Sequence, residues 1–240
     1  LFAAVLLAAV WRPTLRGVGR EARRLVLAFG FVLAAMNFCF YMSLDRIPLG
    51  IAVTLEFVGP LTVALIGSRR RIDVLWVVLA AAGVVLLAGP GGDPDPIGVA
   101  FALGAGFFWG SYILLSARVG RALPGGTGLA LSMVFASALL VVPGIADAGA
   151  DLLDWRVIAV GAAVALLSSV IPYSVELEAL RKLSTGVFGV LMSLEPAVAA
   201  LVGLVALSQG LALAEAIGIA LVTAASAGAL RRSAEAPTEA

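Results

Sequence analysis

Long apolar segments dominate this sequence, and they exclude most of the folds open to a chain of this length. Eight such segments are separated by Gly, Pro and charged residues; they cover Leu25–Leu44, Leu49–Ile66, Val74–Leu87, Ile97–Ser116, Gly128–Val142, Val157–Leu177, Val187–Leu207 and Leu213–Leu230. Hydrophobic residues make up 62% of the 240 and charged residues 13%, whereas soluble domains are about half apolar and about a quarter charged. A bilayer core about 30 Å thick takes roughly 20 apolar residues per helical crossing. The runs are continuous, so they predict an all-α membrane protein and not a barrel of alternating strands.

We expect eight full transmembrane helices, with Leu1–Trp11 as the second half of one more. Basic residues give their orientation. Fourteen of the sixteen fall in alternate loops and the tail: Arg12, Arg16, Arg20, Arg23, Arg24, Arg69, Arg70, Arg71, Arg118, Arg121, Arg181, Lys182, Arg231 and Arg232. The opposite loops hold Arg46 and Arg156. Because Lys and Arg are enriched in cytoplasmic loops, the pattern predicts a cytoplasmic C-terminus, with residues 231–240 as a cytoplasmic tail.

Two of the predicted spans are similar to each other. Residues 50–67 align without gaps on residues 186–203 at an offset of 136, with identities at Gly50/Gly186, Pro60/Pro196, Ala64/Ala200, Leu65/Leu201 and Gly67/Gly203. By the charge pattern, the first copy crosses the membrane from outside to inside and the second from inside to outside, so the two form an inverted repeat. Inverted repeats are typical of secondary transporters, whose sites lie near the bilayer midplane between the halves. We therefore predict one repeat over residues 1–90 and a second over 97–230; the alternative is chance similarity between two helices rich in Ala, Val and Gly.

Two carboxylates lie deep inside the predicted spans. Glu56 is eight residues beyond Pro48 and Glu195 ten beyond Thr185, which places them about 12 Å and about 15 Å deep. An ionised group there costs at least roughly 2.5–3.5 kcal/mol. The functional interpretation is that both face a wet cavity, as protonatable or amine-binding groups. The structural alternative is a neutral Glu that forms a hydrogen bond across a helix interface.

A proline follows each carboxylate. Because Pro60 and Pro196 have no N–H, the carbonyls of Glu56 and Met192 lose their helical partners. The sequence therefore predicts a kink at the same place in both repeats, with a free acceptor for an amine or a water. The alternative is that the kinks only shape packing.

Five further residues are weaker candidates for substrate contact: Asn37, Trp109, Tyr112, Tyr173 and Glu176. Asn37 is polar at mid-depth in its span, and Glu176 is a gate carboxylate or simply marks the water boundary. Trp109 and Tyr112 lie beside Gly106 and Gly110, whose spacing is first of all a helix-packing signal.

The sequence lacks the residues that several classes of function require. The sequence has no His and one Cys, Cys39, so neither a metal cluster nor a disulfide framework is expected. No phosphate-binding G-x-x-x-x-G-K-[ST] motif occurs, which argues against ATP-driven transport by this chain alone. We find no nucleophile–base pair of the kind that an enzyme would need and no dense basic stretch of the kind that binds nucleic acid. Nothing in the sequence implies a cofactor.

Several stretches resemble a known family: PLGIAVTLEFVGPLTVAL at 48–65, SRRRIDVLWVVLA at 68–80, LSSVIPYSVELEAL at 167–180 and FGVLMSLEPAVAAL at 188–201. They are similar to the bacterial threonine/homoserine exporters of the EamA branch of the drug/metabolite transporter superfamily. The resemblance implies ten helices in two inverted five-helix halves with both termini cytoplasmic, of which the first helix and part of the second would precede Leu1. Glu56, Pro60, Glu195 and Pro196 match the family's motif positions. Ser208 and Gln209 stand where the family usually has Gly-Glu, which removes an external acidic group.

The resemblance implies a multi-pass protein of the bacterial inner membrane that exports small amino acids, driven by the proton gradient. We interpret the transport as alternating access by two halves around a midplane cavity. Its partners would be a small zwitterionic metabolite, protons and the lipid bilayer, and a homodimer is compatible with it. Two alternatives stay open: a drug or other metabolite permease on the same fold, and a non-transporting membrane scaffold.

Overall fold

The computed structural model describes residues 2–13, 18–66, 71–88, 94–124, 126–149, 154–171 and 192–233, and within these ranges the regular structure is helical. The α-helices are α1 (Phe2–Trp11), α2 (Arg20–Leu44), α3 (Leu49–Glu56), α4 (Val58–Ile66), α5 (Arg71–Ala88), α6 (Pro96–Ala122), α7 (Thr127–Ala148), α8 (Trp155–Ala165), α9 (Glu195–Ala206) and α10 (Leu213–Ser233). A π-helical turn, Leu166–Val170, continues α8.

These helices agree with the predicted apolar segments. Three described stretches are long and apolar enough to cross a membrane: Arg20–Leu44, Pro96–Ala122 and Thr127–Ala146. Five shorter apolar helices lie at Leu49–Val63, Val74–Leu87, Trp155–Ser168, Glu195–Ala206 and Leu213–Ala229. Each of the eight predicted segments coincides at least in part with one of these. The all-helical membrane fold is confirmed, and the number of crossings stays a prediction.

The outer surface of the helices is apolar. Phe107, Val142 and Val205 are 69%, 70% and 73% exposed. Soluble monomers rarely expose large continuous apolar areas, whereas in a bilayer such side chains contact lipid. The exposed residues therefore support the same conclusion as the composition.

The chain divides into two compact units. Unit 1 comprises Leu1–Ala35 and Tyr112–Arg181; unit 2 comprises Met36–Ser111 and Lys182–Ala240. Within unit 1, α1 packs against α7 and α8. The hydroxyl of Ser132 donates to the Val26 carbonyl at 3.0 Å, and a Cβ on Gly30 would lie 2.6 Å from the Ser132 carbonyl oxygen. Backbones in unit 1 thus approach closely where one residue has no side chain.

Helices α5 and α10 pack closely against each other in unit 2. Gly83 packs against Gly218, so that a Cβ on Gly83 would lie 2.8 Å from the Gly218 carbonyl oxygen. Further along, Ala80 lies in one cluster with Ala225, and Trp76 lies against Gly228. From one contact to the next, the residue numbers decrease along α5 and increase along α10, so the two helices are antiparallel.

Helix α10 runs parallel to α3 and α4. Ile219 packs in a buried cluster with Ile51 and Leu55 of α3, and Ala225 packs with Leu61 of α4. Both sets of residue numbers rise together. The same face of α10 therefore passes from α3 to α4, across the point where they separate.

That separation lies inside the span predicted over Leu49–Ile66, at the place where Pro60 predicts a kink. The structure ends α3 at Glu56 and begins α4 at Val58, with Phe57 between them. The physical reason is Pro60, because a proline cannot donate the hydrogen bond that the Glu56 carbonyl would accept in a continuous helix.

Candidate functional site

Glu56 lies at the break between α3 and α4. Its side chain is buried, with 9% of the residue exposed. Its carbonyl oxygen lies against α6, since a Cβ on Gly106 would be 2.6 Å from it. The backbone of α6 thus lies against the carbonyl that Pro60 leaves without its helical partner.

Glycines allow α6 to approach this break. A Cβ on Gly59 would overlap the carbonyl oxygen of Gly106, and a Cβ on Gly110 would lie 3.3 Å from both the Gly59 carbonyl oxygen and a methyl of Val63. The packing role predicted for Gly106 and Gly110 is confirmed. These contacts hold the backbone beside Glu56 in place.

Trp109 stands next to the same break. Its ring meets that of Phe57 edge-on, with centroids 5.4 Å apart and planes at 86°. Phe57 is 1% exposed, and edge-to-face aromatic pairs have a preferred geometry. The contact shown for Trp109 is therefore with the residue after Glu56, and a contact with substrate stays a prediction.

Glu195 is the first residue of α9, and Pro196 follows it in the first turn. A helix N-terminus favours a negative charge, and proline fits there because it lacks an N–H. Glu195 is exposed, and its carboxylate is close enough to Glu56 for the two to interact electrostatically.

The packing of α3 on α9 explains this proximity. A Cβ on Gly50 would lie 2.6 Å from the Cα of Ala200, so the two backbones nearly touch. The structure therefore brings the two intramembrane carboxylates predicted from the sequence into one unit, each beside a helix break that precedes a proline.

The remaining candidates are placed as follows. Asn37 is half-buried on α2, in unit 2. Tyr112 belongs to unit 1, where its ring stacks on Phe29 with centroids 5.1 Å apart. Tyr173 and Glu176 lie outside the described residues. Unit 2 thus holds Glu56, Glu195, Asn37 and Trp109.

Gln209 has a role that the sequence did not reveal. Its side-chain oxygen accepts a hydrogen bond of 3.0 Å from the backbone N–H of Leu49, the first residue of α3. The backbone N–H of Gln209 donates to the Gly203 carbonyl at 3.0 Å. Gln209 therefore caps α3 from the loop after α9, a contact across 160 residues that no local sequence signal indicates.

Comparison with known proteins decides the family. A model of the "EamA-like transporter family" matches residues 96–231. The chain belongs to this family. It is 43% identical over 227 residues to "Threonine/homoserine exporter RhtA" of Escherichia coli (strain K12), which covers 93% of this chain and 77% of the relative. It is 42% identical over the same length, with the same coverage, to the protein of that name from Salmonella typhimurium (strain LT2).

The resemblance to the threonine/homoserine exporters is thus confirmed. No solved structure matches the chain. Membership of this transporter family, together with the apolar helices, indicates a multi-pass protein of the inner membrane and a metabolite exporter.

Proposed function

We propose that this protein exports threonine, homoserine or similar small amino acids across the inner membrane in exchange for protons, by alternating access. The observation that carries the proposal is the identity of 43% to a threonine/homoserine exporter over 93% of the chain. The electrostatic interaction of Glu56 with Glu195 supports the proton coupling. Two carboxylates in one apolar region repel each other when both are charged, so a proton or a cationic amine is favoured between them.

In the proposed mechanism, Glu195 exchanges a proton for the substrate, and Glu56 orients the substrate's ammonium group. Because Gly106 lies against the Glu56 carbonyl, we assign the ammonium to the Glu56 carboxylate and not to that carbonyl. The substrate's own charge is balanced within the zwitterion. In one cycle, Glu195 releases its proton when the substrate binds, and it takes up a proton from the outside when the substrate leaves.

Alternating access would use the inverted repeat proposed over 1–90 and 97–230, in a ten-helix fold with a cytoplasmic C-terminus. Packing within unit 2 supports the repeat. Gly83 and Gly218 contact each other and are 135 residues apart, within one residue of the offset found in the sequence. Equivalent positions meet where a pseudo-two-fold axis passes between two helices, which is expected of α5 and α10 in an inverted repeat.

The test is threonine efflux from membrane vesicles loaded with labelled threonine. We expect Glu195→Gln to abolish proton-driven efflux while its melting temperature stays near that of the unaltered protein, because Gln keeps the shape and loses the exchangeable proton. Undiminished efflux by this variant would exclude proton exchange at Glu195.

Glu215→Gln is the matched control. Glu215 lies in unit 2, as Glu195 does, and is a buried acid like Glu56, 7% exposed, but its carboxylate accepts a hydrogen bond of 2.8 Å from the Ala212 N–H at the start of α10. Gln can accept the same bond, so efflux is expected to persist. Loss of efflux in both variants would indicate a general sensitivity to removing acids.

A further inference from the structure

Helices α5 and α10 carry three buried polar atoms that lack hydrogen-bond partners. Among the described residues, Nε1 of Trp76, Oγ1 of Thr223 and Oγ of Ser226 are buried and unpartnered, and Ser226 is 0% exposed. Most buried polar side-chain atoms in proteins have a partner, and an exception calls for bound water or a function. Three exceptions on one pair of packed helices indicate a common cause.

Two of these atoms, on Thr223 and Ser226, follow one another along α10, and the third belongs to Trp76 of α5. Ile219 packs against α3 and Ala225 against α4, so Thr223 lies between them at the level of the α3–α4 break, where Glu56 is. Ser226 is three residues further, and Trp76 packs on Gly228 just beyond it. Arg231 and Arg232 follow, on the side that the charge pattern assigns to the cytoplasm. The polar atoms thus lead from the level of Glu56 towards the cytoplasm.

Their spacing suits water. Three helical residues rise about 4.5 Å, too far for a direct hydrogen bond, but a distance that one water spans with two bonds of about 2.8 Å. A buried water makes on average about three hydrogen bonds to otherwise unsatisfied groups. Hydroxyls both donate and accept, so a file of water along Thr223 and Ser226 could pass a proton in either direction.

We propose that Thr223, Ser226 and Trp76 line a file of bound water through unit 2, along which the proton released from Glu195 reaches the cytoplasm. The inference rests on the proposed proton coupling. On substrate binding, the Glu195 carboxylic acid gives its proton to the nearest water, and a proton leaves at the Trp76 end. The Glu56 carboxylate pairs with the substrate's ammonium. Glu195 is the titratable group that acts on Glu56 among the described residues.

The experiment compares the protein with the double variant Thr223→Val/Ser226→Ala in liposomes. Proton release on threonine addition is followed with a trapped pH dye, and threonine–threonine counterflow, which needs no net proton movement, is measured alongside. We expect proton release to slow about tenfold, which corresponds to roughly 1.4 kcal/mol of barrier, while counterflow is retained. Thr62→Val is the control, because this exposed hydroxyl on α4 is bonded to the Val58 carbonyl and lies outside the file.

Unchanged proton release in the double variant, with the unaltered protein active, would overturn the water file and leave the proposed function standing. Absence of threonine-linked proton release in the unaltered protein would refute the proton coupling itself. Hydration is tested without transport by X-ray radiolysis, which oxidises side chains next to bound water. Trp76 should be oxidised in the unaltered protein and less so in the double variant; an unoxidised Trp76 in the unaltered protein would refute the file.

Discussion

Adding one methyl group at Gly106 should disturb the backbone beside Glu56. In Gly106→Ala, the new Cβ would lie 2.6 Å from the Glu56 carbonyl oxygen, whereas ordinary Cβ contacts begin at 3.4 Å. The neighbour is backbone and cannot rotate away, so α6 and the α3–α4 break must separate by several tenths of an ångström. Overpacking of this kind costs about 1–3 kcal/mol. Because the contact is shorter than 3.0 Å and is with backbone, the cost falls in the upper part of this range, about 2–3 kcal/mol. The better helix propensity of Ala offsets about 1 kcal/mol, which leaves a net loss of stability of about 1–2 kcal/mol.

The assay is thermal unfolding in detergent together with threonine efflux. A net loss of this size lowers the melting temperature by roughly 2–8 °C for a chain of this length, and efflux should fall because Glu56 moves with its backbone. Gly104→Ala is the matched control on the same helix, since its Cβ would lie an ordinary 3.6 Å from the sulfur of Cys39. We expect it to melt at or above the temperature of the unaltered protein. Equal melting temperatures for the two variants would refute the close approach of α6 to Glu56.

Two further predictions concern the loop ends of unit 2. Asp95 accepts a hydrogen bond from the Ile97 N–H at the start of α6 and pairs with Arg46 at 3.0 Å, and these contacts hold the pKa of Asp95 below its ordinary 3.8. A lowered pKa contributes stability that is present above the ordinary pKa and is lost as the pH falls through the pKa of the folded protein. The melting temperature should therefore be lower near pH 3 than at pH 5, and the difference should be smaller in Asp95→Asn. Equal differences in the two proteins would contradict this role of Asp95. Gln209→Leu leaves the Leu49 N–H uncapped and should cost about 0.5–2 kcal/mol in thermal unfolding, whereas Gln209→Glu, which keeps an acceptor, should melt near the unaltered protein; if the leucine variant does so too, the cap is not stabilising.

Much of the fold follows from the sequence because lipid imposes strict rules. A segment in the bilayer core must satisfy its own backbone hydrogen bonds, so length and apolarity predict helices at Ile97–Ser116 and Gly128–Val142. The structure extends both, as α6 and α7. Glu56 and Glu195 also stood out, because a charge inside an apolar helix is costly enough to require a reason.

Contacts between distant segments could not be predicted in the same way. The spacing of Gly106 and Gly110 indicated a packing face, but it could not show that the partner is the carbonyl of Glu56. Gln209 looked like the loss of an acidic group, since a glutamine in a loop carries no signal for a cap 160 residues away. Both contacts depend on how the helices are arranged in three dimensions, and the local sequence pattern does not specify that arrangement.

The arrangement of unit 2 suggests a use for its closely packed glycines and its buried polar side chains. A transporter must hold charged groups inside lipid while it keeps its helices together, and lipid supplies no hydrophobic force between helices. Close contacts at Gly59, Gly83 and Gly218 replace that force with backbone packing. The same packing excludes lipid from the break beside Glu56, where Thr223 and Ser226 could hold water. Stability and proton access would then depend on the same helix, so we expect substitutions on the inner face of α10 to affect both, and those on its lipid-facing residue Leu213, which is 78% exposed, to affect neither.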